Sequence, residues 1–160
     1  MGSALEAALG GQDGFTTDVM ERSRQLVLRY FDAINNQELD ALSLLTSEDV
    51  LHDLQASDRR VGQQDLMEFF SQAYARCREH VFDIEVMVSV DGHRAAAEFT
   101  VLGIPLSGGE HGAAFGTGQT CRLHGGTFFE IRDDRIARIS NYGEPSPLAS
   151  GVSSALPHSV

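Results

Sequence analysis

The sequence predicts an α+β fold in which helices cover one face of a bent antiparallel sheet. Helical spacing of apolar residues fills the first half of the chain, and period-two alternation replaces it from about Val81. The stretch Gln119 to Tyr142, QTCRLHGGTFFEIRDDRIARISNY, then reads as two long strands joined at Asp133-Asp134, because β-branched and aromatic residues dominate both arms and the turn pair accepts positive φ. Gly125-Gly126 interrupts the first arm, and glycine inside a strand marks a bulge or bend, so the sheet can curl around a pocket.

Residues 1–17, rich in Gly and Ala, read as a flexible N-terminal segment, residues 18–143 as one domain, and residues 144–160 as a flexible tail without periodicity. Asp18 with Glu21 caps a first helix whose inner stripe is Val19, Leu26, Val27, Tyr30, Phe31 and Ile34, ending at Asn35-Asn36. Leu39, Leu42 and Leu45 space a second, short helix. Asp49 to Leu54 is a short strand, and Gln55 to Gly62 is polar and irregular. Gly62 opens the third helix, whose stripe is Leu66, Phe69, Phe70, Ala73 and Cys77. Phe82, Ile84, Val86, Val88 and Val90 then share one strand face, Asp91-Gly92 turns the chain, and Arg94 to Leu102 returns. Gly103 to Gly118 reads as a glycine-rich surface excursion, with a rim or lid over a site as the alternative.

The chain has 160 residues, 42% of them hydrophobic, enough for one core and not for two. A formal net charge of −11 argues against nucleic-acid backbones and disfavours anionic membranes as partners. Without an apolar run of spanning length or a signal-peptide pattern, the expected location is cytoplasmic. Cys77 and Cys121 are then reduced thiols. His80, His93, His111 and His158 lack ligand spacing, so no metal is expected, and without a nucleotide fingerprint no cofactor is expected.

The pieces VLRYFDAINNQELDALSLL, EDVLHDLQ, RRVGQQDLMEFF, DGHRAAAEFTVLG and GGTFFEIRDDRIARISNY resemble the SnoaL-like, ketosteroid isomerase-related branch of the nuclear transport factor 2-like superfamily. The resemblance runs from about Val27 to Tyr142. It implies a cone of strongly curved antiparallel sheet closed by about three helices, pairing through the open sheet face into a homodimer, and a hydrophobic small-molecule substrate.

By the same resemblance Asp53 falls at the position of the isomerases' carboxylate base and Tyr30 at that of the tyrosine that hydrogen-bonds the developing enolate oxygen. Such a base works if desolvation lifts its pKa toward neutrality. The isomerases' second, protonated acid has no counterpart here: only Thr127 stands near that place. In a regular strand His52 points opposite to Asp53, and a slip of one residue exchanges them, making His52 the substitute base. Asn141, on the face of Ile139, and His124 lie on the hairpin, and Phe129 and Phe99 complete the substrate-binding set. Arg59-Arg60 reads as a solvated loop edge, with reach to the pocket mouth as the alternative. The leading expectation is an isomerase, cyclase or dehydratase that moves protons on a hydrophobic carbonyl compound such as a polyketide or steroid. A ligand-binding or dimerisation module without catalysis, and an epoxide hydrolase built on Asp53 with Asn141, are the alternatives.

Overall fold

A computed structural model describes residues 3–55, 58–106 and 120–143, with side chains in the first helix from Gly14 onward. Three helices, α1 (Ser3–Asn36), α2 (Leu39–Leu45) and α3 (Gln63–Arg76), pack on six strands, β1 (Thr46–Gln55), β2 (Asp58–Val61), β3 (Cys77–Val88), β4 (Arg94–Pro105), β5 (Cys121–Arg132) and β6 (Arg135–Gly143). The strands form one curved sheet in the order β2-β1-β6-β5-β4-β3. Every neighbouring pair is antiparallel except β1 with β6, which run parallel, so the sheet is mixed where the sequence predicts a purely antiparallel one. The tail at 144–160 and the greater part of the glycine-rich excursion lie outside the described residues.

The inner face of the sheet and the helices share one aromatic core. Tyr30 and Phe31 of α1, Phe69 and Phe70 of α3 and Phe129 of β5 are all buried there. Tyr30 meets Phe31, Phe70 and Phe129 edge-on, with ring centroids 5.5, 6.4 and 5.5 Å apart. The stripe Leu66, Phe69, Phe70 and Ala73 is buried as its helical spacing requires, but Cys77, read as its last member, has extended backbone and opens β3. At the β5-β6 turn Asp133 and Asp134 adopt φ of 52° and 56°, the paired positive values of a tight hairpin turn.

Four expectations need correcting. Helix α1 does not begin at Asp18 but runs unbroken from Ser3. Alanine and leucine favour the helix, and its middle is anchored: Val19 lies so close to Gly92 that a Cβ there would stand 2.4 Å from it, while Ser23 Oγ donates to the Gly92 carbonyl at 2.7 Å. The region read as irregular contains β2, a four-residue polar edge strand too short to show a period. Strand β4 continues to Pro105, past the predicted end at Leu102. Finally, Phe82 does not share a face with Ile84. The β3-β4 register shifts between Phe82 and Glu85, where Asp83 has φ 52°, and this bulge puts Phe82 outside beneath the Arg122 guanidinium at 5.4 Å. Asn35 of α1 bonds both the amide and the carbonyl of Val81 just before the bulge, at 2.7 and 2.8 Å, tying helix to strand where the ladder breaks.

Candidate active site

Strand β1 lies between β2 and β6, with His52 opposite Arg60 on one side and Ile139 on the other. Strand neighbours in register share a face. Because Ile139 is fully buried, His52 faces the interior, and it is only 1% exposed. Its ring meets Phe69 edge-on at 4.9 Å and lies nearly parallel to Phe70 at 6.3 Å. Asn141 of β6 and Thr127 of β5, also opposite one another, complete a short relay: Thr127 Oγ1 donates to Asn141 Oδ1 at 2.8 Å, and Asn141 Nδ2 approaches His52 Nε2 at 3.1 Å.

That relay sets the histidine tautomer. With the amide oxygen occupied by Thr127, the amide NH2 faces Nε2, which must accept, so the proton of the neutral ring sits on Nδ1. Nδ1 is buried and has no hydrogen-bond partner among the described residues. Burial, reinforced by the nearby charge of Arg60 and opposed by that of Asp53, pulls the His52 pKa down to about 4, so the ring is neutral at physiological pH. His52 thus presents a single N–H donor toward aromatic surroundings.

Tyr30 flanks the same Phe70 ring from the α1 side. Burial pushes its phenol far above the ordinary range, so it stays protonated and can act as a donor but not as a base. Phe129 contacts Tyr30, and the Phe99 ring lies 5.0 Å from that of Phe31. Gly125 leaves room for Phe99, since a Cβ there would fall 2.8 Å from the ring. Tyr30, His52, Thr127, Asn141, Phe129 and Phe99 are therefore brought to one side of the sheet.

Asp53 and His124 are not with them. The Asp53 carboxylate leaves the outer face, where it accepts from Arg59 Nε at 2.5 Å, Arg138 Nε at 2.8 Å and Ser140 Oγ at 3.0 Å. Its pKa is lowered to about 2: the Arg59 hydrogen bond is the largest cause, burial opposes it, and the Arg138 and Ser140 hydrogen bonds lower it further. Arg138 also reaches Glu130 at 3.3 Å, and Glu130 reaches Arg94 at 2.8 Å, so ion pairs run across five strands of the outer face. A carboxylate held this way is a poor proton acceptor at neutral pH. His124 is exposed, its Nδ1 3.3 Å from Thr100 Oγ1 on the same outer face.

Two inner-face groups lie outside the expected site residues. Arg60, read as a loop edge, sits across from His52, its guanidinium carbon 5.7 Å over the Phe69 ring. Glu79, only 7% exposed, follows the buried alternation Cys77, Glu79, Val81; its charge and, more strongly, burial raise the Tyr74 phenol and lift the Cys77 thiol to about 11. Alternation extended two residues upstream of Val81 carried the signal for Glu79. None did for Arg60, whose face depends on its pairing with β1.

The SnoaL-like domain family matches residues 27–139. The chain belongs to that family. Among solved structures, this SnoaL-like chain is similar to proteins assigned as polyketide cyclases from Xanthomonas campestris pv. campestris (35% identity, TM-score 0.72, covering 78% of this chain and 91% of that one) and Pseudomonas putida KT2440 (41%, 0.69, 75% and 90%). A third, from Silicibacter sp. TM1040, shares 32% identity at a TM-score of 0.71, covering 84% of this chain and 98% of its own. No curated protein matches the chain. Among the described residues of this SnoaL-like domain, no helix is long and apolar enough to cross a membrane.

Proposed function

We propose that this SnoaL-like protein is a small-molecule enzyme that moves protons on a hydrophobic carbonyl compound, in an isomerisation, cyclisation or dehydration, with His52 rather than Asp53 at the reacting oxygen. The observation that carries the reading is the buried, partnerless Nδ1 of a neutral histidine set among Phe69, Phe70 and the Thr127–Asn141 relay. A buried donor without an acceptor is costly unless something else supplies one, and a substrate carbonyl oxygen does so. When a C–H next to that carbonyl loses its proton, the electron pair moves onto the oxygen, and the His52 N–H, with the protonated Tyr30 phenol, stabilises the charge. We assign Glu79 as proton acceptor: it is buried on the same face of the sheet and its charge acts on Tyr74, whose ring lies 5.8 Å from that of Phe70. The epoxide alternative draws no support from Asp53 with Asn141, because those side chains leave opposite faces.

Deuterium exchange into phenylacetone, a small apolar ketone with an acidic α C–H, tests the assignment when followed by NMR in D2O. His52→Leu is expected to slow the catalysed exchange about 100- to 1,000-fold, the usual cost of losing an oxyanion donor, while Asp53→Asn stays within about threefold because no reacting atom touches it. An equal loss in both variants, or full activity in His52→Leu, would return the chemistry to Asp53 or to a ligand-binding role.

The family expectation of a homodimer also has a candidate surface. Phe128 and Tyr142, 56% and 64% exposed, meet edge-on at 5.2 Å on the outer face, and Met87 lies exposed two strands away across Ala96. Burying this row in a second copy would remove it from water. In sedimentation velocity the wild type is expected at twice the 17.4 kDa chain mass and Phe128→Glu at that mass; a monomeric wild type would refute the pairing.

A further inference from the structure

Arg60 differs from the neighbouring guanidinium groups that hold carboxylates. Arg59 and Arg138 hold Asp53, Arg94 holds Glu130 and Arg132 holds Asp49, all on carboxylates within 4 Å. Among the described residues, no carboxylate lies that close to Arg60, and its Nε is buried without a hydrogen-bond partner. The cause is strand parity: Arg59 shares the outer face with Asp53, whereas Arg60 shares the inner face with His52. Its guanidinium instead covers the ring of Phe69, which His52 also touches.

Two buried N–H donors, Arg60 Nε and His52 Nδ1, therefore border one aromatic ring with no acceptor for either, and the only charge they bring is the positive charge of Arg60. A neutral ketone satisfies His52 and leaves Arg60 uncompensated. A second, anionic oxygen group on the same molecule would pair the half-buried guanidinium and balance its charge. The surrounding surface, Phe69, Phe70 and Phe129, is apolar, so the rest of the ligand must be too. The chain's net charge of −11 opposes approach of an anion at long range, but screening limits that effect to about 8 Å at physiological ionic strength, and inside the site the local guanidinium decides.

We propose that the substrate is an apolar oxo-acid, a carbonyl compound carrying a carboxylate a few bonds from the carbonyl, with Arg60 binding the carboxylate and His52 the carbonyl oxygen. The inference rests on the reading of this interior as a carbonyl-binding site. Arg60 is a specificity residue in it, separate from the proton transfer itself.

The matched pair phenylpyruvate and phenylacetone tests it, since the two share the benzyl ketone and differ by carboxylate against methyl. Binding to the full chain is followed by NMR titration of labelled histidine side chains. Phenylpyruvate is expected to bind at least tenfold more tightly than phenylacetone and to shift the His52 resonances. In Arg60→Met, which keeps an apolar cover on Phe69, that advantage is expected to shrink to within about twofold; Arg60→Lys is expected to retain part of it. Equal wild-type affinities with both compounds shifting His52, or a preference that survives Arg60→Met, would overturn the role of Arg60 and leave the carbonyl site standing. If neither compound perturbs His52, the carbonyl site itself fails and the oxo-acid proposal falls with it.

Discussion

Acidification from pH 6.5 to pH 4 is expected to cost the fold about 3 kcal/mol through His52 alone. The ring's pKa is about 6.5 in the unfolded chain and about 4 in the buried site, and each unit of difference corresponds to about 1.4 kcal/mol. The sign follows from proton counting. Between the two values the unfolded chain binds a proton that the folded protein does not, so stability rises with pH across the window. The contribution is complete above pH 6.5 and lost progressively as pH falls through it. Structure supplies the reason: a second ring proton on Nε2 would point at the Asn141 amide NH2, donor against donor, in a site without water-exposed surface to relieve it. Asp53 acts in a separate window. Its folded pKa of about 2 lies below the ordinary carboxylate value, so its ion pairs add stability that survives until the pH falls below about 4. Urea denaturation across pH 4 to 8 checks this: the stability difference between wild type and His52→Leu is expected to grow with pH by about 3 kcal/mol and level off above pH 6.5. Parallel curves would mean that His52 titrates normally and is not buried as described.

Much of this arrangement was legible in the residues, and what was not has one physical cause. The α3 stripe, the Asp133-Asp134 turn and the shared inner face of Thr127, Phe129 and Ile131 follow from periodicity and turn chemistry, which are local. Which of His52 and Asp53 enters the core is not local. A strand fixes only that neighbours diverge, and the choice between faces comes from pairing with β6 and β2, one a parallel partner more than eighty residues away and the other a polar edge of four residues. The same parity problem hid Arg60 and misplaced Phe82, whose strand changes face at the Asp83 bulge. Helix α1 escaped for a different reason. Glycines that argue for fraying are tolerated once Val19 and Ser23 dock on the β3-β4 turn, a tertiary contact that outweighs local propensity.

Parity also makes a sharp stability contrast between adjacent residues. Phe129 is 1% exposed, with ring contacts to Tyr30 at 5.5 Å and Phe31 at 6.1 Å, so Phe129→Ala is expected to cost about 3–5 kcal/mol, the range for deleting a buried aromatic and leaving a cavity. The neighbouring Phe128 points outward and is 56% exposed, with Tyr142 as its ring partner, so Phe128→Ala is expected to cost about 1 kcal/mol or less. Denaturation midpoints compared at a dilution where they no longer depend on concentration keep any pairing between copies out of the comparison. The consequence reaches the site. Thr127 and Phe129 share a face, and Thr127 orients Asn141, which fixes the His52 tautomer. A large loss at Phe128 with a small one at Phe129 would turn the whole strand over, carry Thr127 outward, and remove the relay on which the assignment of His52 depends.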